Sequence, residues 1–170
     1  MEIPSLLGGV PVREIGAKAF AGRQGLKELR LGTGIKSIEK GAFAECVSLK
    51  SVDIPDSVKV VGESAFAGCS GLNELRLGRG IKKIEKDAFS MCVSLQSVDI
   101  PDSVEVVGEM AFAGCDVLNE LRLGRGIKKI EKDAFANCPF LSRVVLPSTL
   151  EALARDAFDE SVDLVVEDER

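Results

Sequence analysis

The chain has 170 residues, a formal net charge of −5, five cysteines, and no histidine, tyrosine or tryptophan. Lacking histidine, it lacks the commonest general base and metal ligand, and without tyrosine or tryptophan it lacks the rings that most often stack on bases and sugars. Its mild acidic balance, with both signs interspersed, argues against a nucleic-acid footprint, and no apolar run approaches the ~20 residues of a membrane span.

Met1 to Gly9 carries no basic region followed by an apolar core, so no signal peptide is expected in this stretch. Ile3-Pro4 repeats the strand ending of Ile54-Pro55 and reads as the tail of a preceding unit. Five more residues separate Pro4 from Val12 than Pro55 from Val58, which makes Leu6 to Gly9 a lead-in loop. From Val12 onward one pattern dominates. Ala-Phe recurs every 23 residues, at Phe20, Phe43, Phe66, Phe89, Phe112, Phe135 and Phe158. A fixed period in this range signals a stacked array in which each unit buries its apolar side against its neighbours.

Each unit opens with two aliphatics three apart (Ile35 and Ile38), then Ala-Phe, Cys46, Leu49, Val52 and Ile54. Alternation of Val52 and Ile54 with Ser51 and Asp53 predicts a half-buried strand. Pro55-Asp56-Ser57 closes it in one unit and Gly78-Arg79-Gly80 in the next. The Ala-Phe-x-x-Cys stretch is too short for an independent helix and is read as a single helical turn. Parallel strands stacked about 4.8 Å apart would form a curved ribbon with a solvent-facing sheet.

The cysteines stand 23 residues apart, whereas zinc sites favour pairs two to four residues apart. The reading is a column of buried free thiols acting as small hydrophobes; disulfides between adjacent units and redox sensing are the alternatives. The whole chain, 1–170, reads as a single solenoid. It comprises a lead-in over 1–11, six repeats over 12–149 and a degenerate capping repeat over 150–170. In that cap Leu164 is expected to keep its register, with Glu167 where a buried Val or Leu belongs. Val165 to Arg170 reads as an edge strand guarded by charge.

The spaced residues from Ile35 to Pro55 (Ile-x-x-Ile-x-x-x-Ala-Phe-x-x-Cys-x-x-Leu-x-x-Val-x-Ile-Pro) resemble the BspA-like, treponemal-type leucine-rich repeat. That resemblance implies an α/β solenoid: a right-handed leucine-rich-repeat superhelix with a parallel concave sheet and short helical turns. It also implies a place in a microbial surface or secreted protein that adheres to other proteins. The pattern departs from the family where Arg23 and Ser161 replace the cysteine, and where three repeats carry Gly in place of Pro.

The units alternate in type, so the duplication length is 46 residues, and residues 35–80 and 81–126 differ at only nine positions. One outward column of the sheet reads Arg30, Asp53, Arg76, Asp99, Arg122, and another reads Glu28, Ser51, Glu74, Ser97, Glu120, Arg143. Alternating charges on neighbouring strands are favourable pairs of roughly 0.2–1 kcal/mol each. The columns read either as a self-neutralised surface or as a polar concave binding face. On the opposite side Glu39, Glu85 and Glu131 dilute the clusters of lysines. Apolar residues where the repeat demands none are Met91, Met110, Val117, Phe140 and Val145. Phe140 is expected to pack on the cap, leaving Met110 and Val117 as candidates for a partner contact or weak self-association.

No catalytic, cofactor-binding or metal-binding constellation emerges, and an enzyme is not expected. The expectation is a protein–protein interaction module that binds a host or extracellular-matrix protein through its concave sheet, with no nucleic acid and no membrane insertion. A structural or designed scaffold without a natural ligand, motivated by the near-identical 46-residue units, is the first alternative. The second is an intracellular interaction protein.

Overall fold

The computed structural model describes residues 1–167. It is a parallel β-solenoid of about seven coils, each made of one 23-residue unit. Every coil contributes a strand to a long-strand face, at Glu28–Leu31, Ser51–Asp53, Glu74–Arg76, Ser97–Asp99, Glu120–Arg122, Arg143–Leu146 and Asp163–Val166. The return segments form a second parallel sheet of seven two-residue strands, in sequence from Glu14–Ile15 to Ala152–Leu153. In that sheet the repeat is in strict register, with Ile15 opposite Ile38, Ile38 opposite Val61 and Val61 opposite Ile84.

The expected helical turns are not there: no helix occurs among the described residues, and the fold class is β-solenoid, not α/β. Between the two sheets the Ala-Phe segments make a third line of contact between coils. Ala42 and Ala44 donate their N–H groups back to Glu39 and Gly41 carbonyls (3.2 and 3.1 Å), as in tight turns. Phe43 and Glu45 donate forward instead, to the carbonyls of Ala65 and Ala67 in the next coil (2.8 and 2.7 Å). A helix would send every N–H to a carbonyl four residues back. Here the neighbouring coil claims alternate ones. Left-handed residues bracket the segment, Gly41 at φ 63° and Glu45 at φ 58°, and break any helical run.

The core is a column of stacked rings. Phe20 to Phe158 stack with centroids 5.0–5.3 Å apart and planes within 10°. Offset stacking at this spacing is favourable beyond the area it buries. Arg23, where other coils have cysteine, lies over the Phe20 ring at 5.5 Å and covers the open end of the stack. All five cysteines are free and buried. Each thiol donates to a phenylalanine carbonyl of the preceding coil, as Cys69 does to Phe43 at 3.2 Å and Cys115 to Phe89 at 3.5 Å. Cysteine suits this place because it is small, apolar and still a weak donor. Burial pushes the Cys69 thiol up to about 12 and Cys138 to about 11.

Both ends depart from the 23-residue register. Near the start Glu2–Ile3 pairs with Arg30–Leu31, and the five extra residues are taken up by an antiparallel hairpin, Leu6–Leu7 against Val10–Pro11. At the other end Phe158 still bridges to Phe135, but Leu164 lies opposite Val144, three residues earlier than the repeat predicts. The shortening falls on either side of a preserved turn, two residues being lost between Phe158 and Asp159 and one between Val162 and Asp163. Val162 donates to the Asp159 carbonyl as Leu141 does to Cys138, and the Asp159 carboxylate accepts the N–H groups of Asn137 and Cys138. Leu164 therefore does not keep its expected register. Asp168 to Arg170 of the expected charged edge lie outside the described residues.

Candidate interaction face

On the long-strand face, alternation turns Leu29, Val52, Val98 and Val144 into the core and the candidate columns outward. The structure brings Glu28, Arg30, Ser51, Asp53, Glu74, Arg76, Ser97, Asp99, Glu120, Arg122 and Arg143 onto this one surface. It does not place Met110 there. Met110 precedes the Ala111-Phe112 turn in a left-handed conformation, φ 55°. Val117 lies beyond that turn, three residues before the Glu120–Arg122 strand, and is partly buried. Phe140, expected to pack on the cap, is 65% exposed.

The charged columns do not form a uniform ladder. Arg76 reaches back to Asp53 (2.6 Å) and Asp56 (3.5 Å), and Arg122 reaches back to Asp99 (2.7 Å) and Asp102 (3.7 Å). No ion pair joins Arg76 forward to Asp99. Among the described residues none reaches Glu28, Glu74 or Glu120 either. Hydrogen bonding follows the same division. The face splits into a block from Glu2–Ile3 to Glu74–Arg76, a pair Ser97–Asp99 with Glu120–Arg122, and a final pair Arg143–Leu146 with Asp163–Val166. At the two open seams Leu75 and Leu121 are half-exposed, whereas Val52 and Val98 in the same column are 3% exposed.

The turns explain the grouping. Asp56 accepts the Arg79 N–H at 2.8 Å, and Asp102 accepts that of Arg125 at 2.9 Å. Gly78 and Gly80 lie directly against the backbone of Pro55 and Asp56, leaving no room for a Cβ; Gly124 and Gly126 stand in the same relation to Pro101 and Asp102. Each Gly-Arg-Gly turn thus nests on the Pro-Asp-Ser turn before it. Among the described residues no hydrogen bond joins the turns at Asp56-Ser57 and Asp102-Ser103 to the glycine turns before them, whereas in the last such turn Thr149 donates to the Arg125 carbonyl.

Three open clefts result, of about 690, 660 and 460 Å³. They are one feature repeated at intervals of 46 residues: Leu31 and Pro55 line the first, Leu77 and Pro101 the second, Leu123 and Pro147 the third. The 46-residue period was visible in the sequence, but nothing in the charge columns revealed the clefts, or that the strands part at the second and third of them while Glu28–Leu31 and Ser51–Asp53 stay paired at the first. Alternation of the turn types was the available signal.

The lysines on the opposite side are largely neutralised between coils. Lys40 pairs with Glu63 at 3.0 Å and Lys86 with Glu109 at 3.2 Å, while Lys82 and Lys128 share Glu105 at 3.6 and 3.3 Å. Hydrogen bonding from Lys128 and its nearby charge hold Glu105 below the ordinary carboxylate range. No helix is long and apolar enough to cross a membrane, and no three metal-ligating side chains come together among the described residues.

A parallel solenoid with a 23-residue period, stacked phenylalanines and a long-strand face defines the leucine-rich-repeat class. The BspA type leucine-rich repeat region matches residues 9–115 and 36–165 in six copies, and the chain belongs to that family. Among solved structures it is similar to the T. pallidum leucine-rich repeat protein, with 34% identity and a TM-score of 0.80 over 82% of this chain and 65% of that one. It is also similar to a Bacteroides ovatus leucine-rich repeat protein, with 30% identity and a TM-score of 0.86 over 98% of this chain and 44% of that one. A leucine-rich cell surface protein of Faecalibacterium prausnitzii matches at 28% identity and a TM-score of 0.86, over 97% of this chain and 46% of that one. The chain thus spans between 44% and 65% of these relatives' length. No curated protein matches the sequence significantly.

Proposed function

We propose that the chain is a protein–protein interaction module of a microbial surface or secreted protein, binding an adhesive partner or other protein ligand through its long-strand face. Leucine-rich repeat proteins are generally interaction scaffolds, and solenoids offer one extended surface for the purpose. The observation that carries the reading is the face itself: clefts at regular intervals on a surface where Glu28, Glu74 and Glu120 have no ion-pair partner among the described residues. Similarity to a protein described as a cell surface protein supports the location. In this reading residues 12–149 supply the binding repeats, 1–11 leads into them and 150–170 closes them.

The test is affinity capture from an extracellular-matrix extract and a cytosolic lysate in parallel, comparing the native chain with an Arg76→Glu, Arg122→Glu variant of unchanged fold. A matrix protein retained by the first and lost by the second is the expected result. Equal retention by both would remove the face from the reading. Retention of nothing from either extract would favour a scaffold without a natural ligand.

A further inference from the structure

We infer that the long-strand face docks an amphipathic, basic α-helix lying along the solenoid axis, with one apolar side chain per heptad entering each of the three clefts. The inference rests on the reading of this face as an interaction surface and specifies its occupant.

Spacing makes the first argument. Successive coils advance 5.2 Å, measured along the phenylalanine stack, so clefts two coils apart recur about every 10.4 Å, twice that step. Side chains on one side of an extended strand recur about every 6.7 Å and cannot keep step with this. A polyproline helix turns every 9.3 Å or so and falls about 2 Å behind by the third cleft. Seven residues of α-helix rise about 10.5 Å and stay in register across all three. A helix of about 15 residues spans the array.

Charge makes the second argument. Glu28, Glu74 and Glu120 recur at the same two-coil interval as the clefts, and none has an ion-pair partner among the described residues. Arg76 and Arg122 of the neighbouring column are already committed to Asp53, Asp56, Asp99 and Asp102, whereas Arg30, next to Glu28, makes no ion pair among the described residues. A docked helix therefore meets an unsatisfied acidic row on one flank, which calls for Lys or Arg once per heptad. Partly buried Leu75 and Leu121 line the second and third clefts and give an apolar side chain a surface to cover there, between the arginines and aspartates of the rim.

The experiment uses labelled synthetic peptides of about 20 residues and fluorescence anisotropy at low and high salt. One peptide is helical, with Leu and Lys each at heptad spacing. A second is helical with the same composition re-spaced, and a third is a polyproline peptide of equal charge. The heptad peptide is expected to bind saturably and about tenfold tighter than either control, and a Glu74→Gln, Glu120→Gln chain with unchanged melting is expected to lose about that factor. Equal binding of the re-spaced peptide would show that charge alone acts and would overturn the inference. Tighter binding of the polyproline peptide would overturn it in favour of a shorter repeat. If no peptide binds while captured protein still depends on Arg76 and Arg122, the helix falls and the interaction face stands.

Discussion

Two seams of the same face, 46 residues apart, differ in one respect. Between Glu28–Leu31 and Ser51–Asp53 the strands are hydrogen-bonded and Leu29 is buried; between Glu74–Arg76 and Ser97–Asp99 they are not, and Leu75 is half-exposed. The phenylalanine stack runs beneath both at the same step. Core packing therefore does not decide whether a seam closes. The contrast lies in what pulls on the strand from behind. Arg76 is tied to Asp53 and Asp56 of the coil before it, whereas Arg30 makes no such pair among the described residues; the glycine turns do not differ in this way, since Gly78 abuts Pro55 and Gly32 abuts Pro4 and Ser5. A surface ion pair is worth little in stability, yet here it is a contact present at the open seam and missing at the closed one.

The largest expected effect breaks both seams at once. Burial raises the cysteine thiols above their unfolded value of about 8.5. The folded state thus keeps protons that the unfolded chain releases. Their contribution is complete below about pH 8.5 and is lost as pH rises from there toward the folded value of about 12 at Cys69. Denaturant titrations across this window should show a steep alkaline fall in stability, shallower in a Cys69→Ala, Cys92→Ala chain. A profile independent of pH would mean the thiols are not buried.

Phe89→Ala should lower stability by about 3–5 kcal/mol in denaturant unfolding, because it opens the column shared by both seams. A loss below about 1 kcal/mol would displace Phe89 from the core. Gly80→Ala and Gly34→Ala then compare equivalent positions in two copies of the glycine turn. A Cβ at Gly80 runs into the Asp56 backbone, while one at Gly34 finds nothing closer than 3.5 Å. The first should destabilise by about 1–3 kcal/mol and the second far less. Equal effects would contradict the nesting.

Thiol labelling examines the seams directly, since the native cysteines are buried and silent. A cysteine at position 75 should react about tenfold or more faster than one at position 52. Arg76→Gln should cost under about 1 kcal/mol, the smallest effect, and should slow labelling at position 75 if the ion pair holds the seam open.

Much of this architecture was legible from the 23-residue spacing alone, since Phe43, Val52 and Ile54 have counterparts at the same places in all six repeats over 12–149 and Cys46 in five of them, and their burial follows from period and alternation. The helical turn was misread for a physical reason. Ala-Phe-Ala has good local helix propensity, but the competing bonds come from residues 22 positions away, and no local pattern reports them. At the cap, Leu164 satisfies both the 23-residue register and the shorter one; only the Asp159 carboxylate, which holds the Asn137 and Cys138 amides, decides between them. The candidate columns were placed correctly on one face, but the clefts were not foreseen because they arise between coils, from turn shape and not from any one residue.

The nesting of a glycine turn on a proline turn also constrains how such an array can grow. Inserting one 23-residue coil would set like turn on like, Asp56-type carboxylate beside its own copy, with no glycine to admit the neighbouring backbone. Inserting 46 residues preserves every contact at the join. Recombination within a gene of this kind should therefore yield viable proteins that differ in length by two coils at a time, each step adding one cleft to the face.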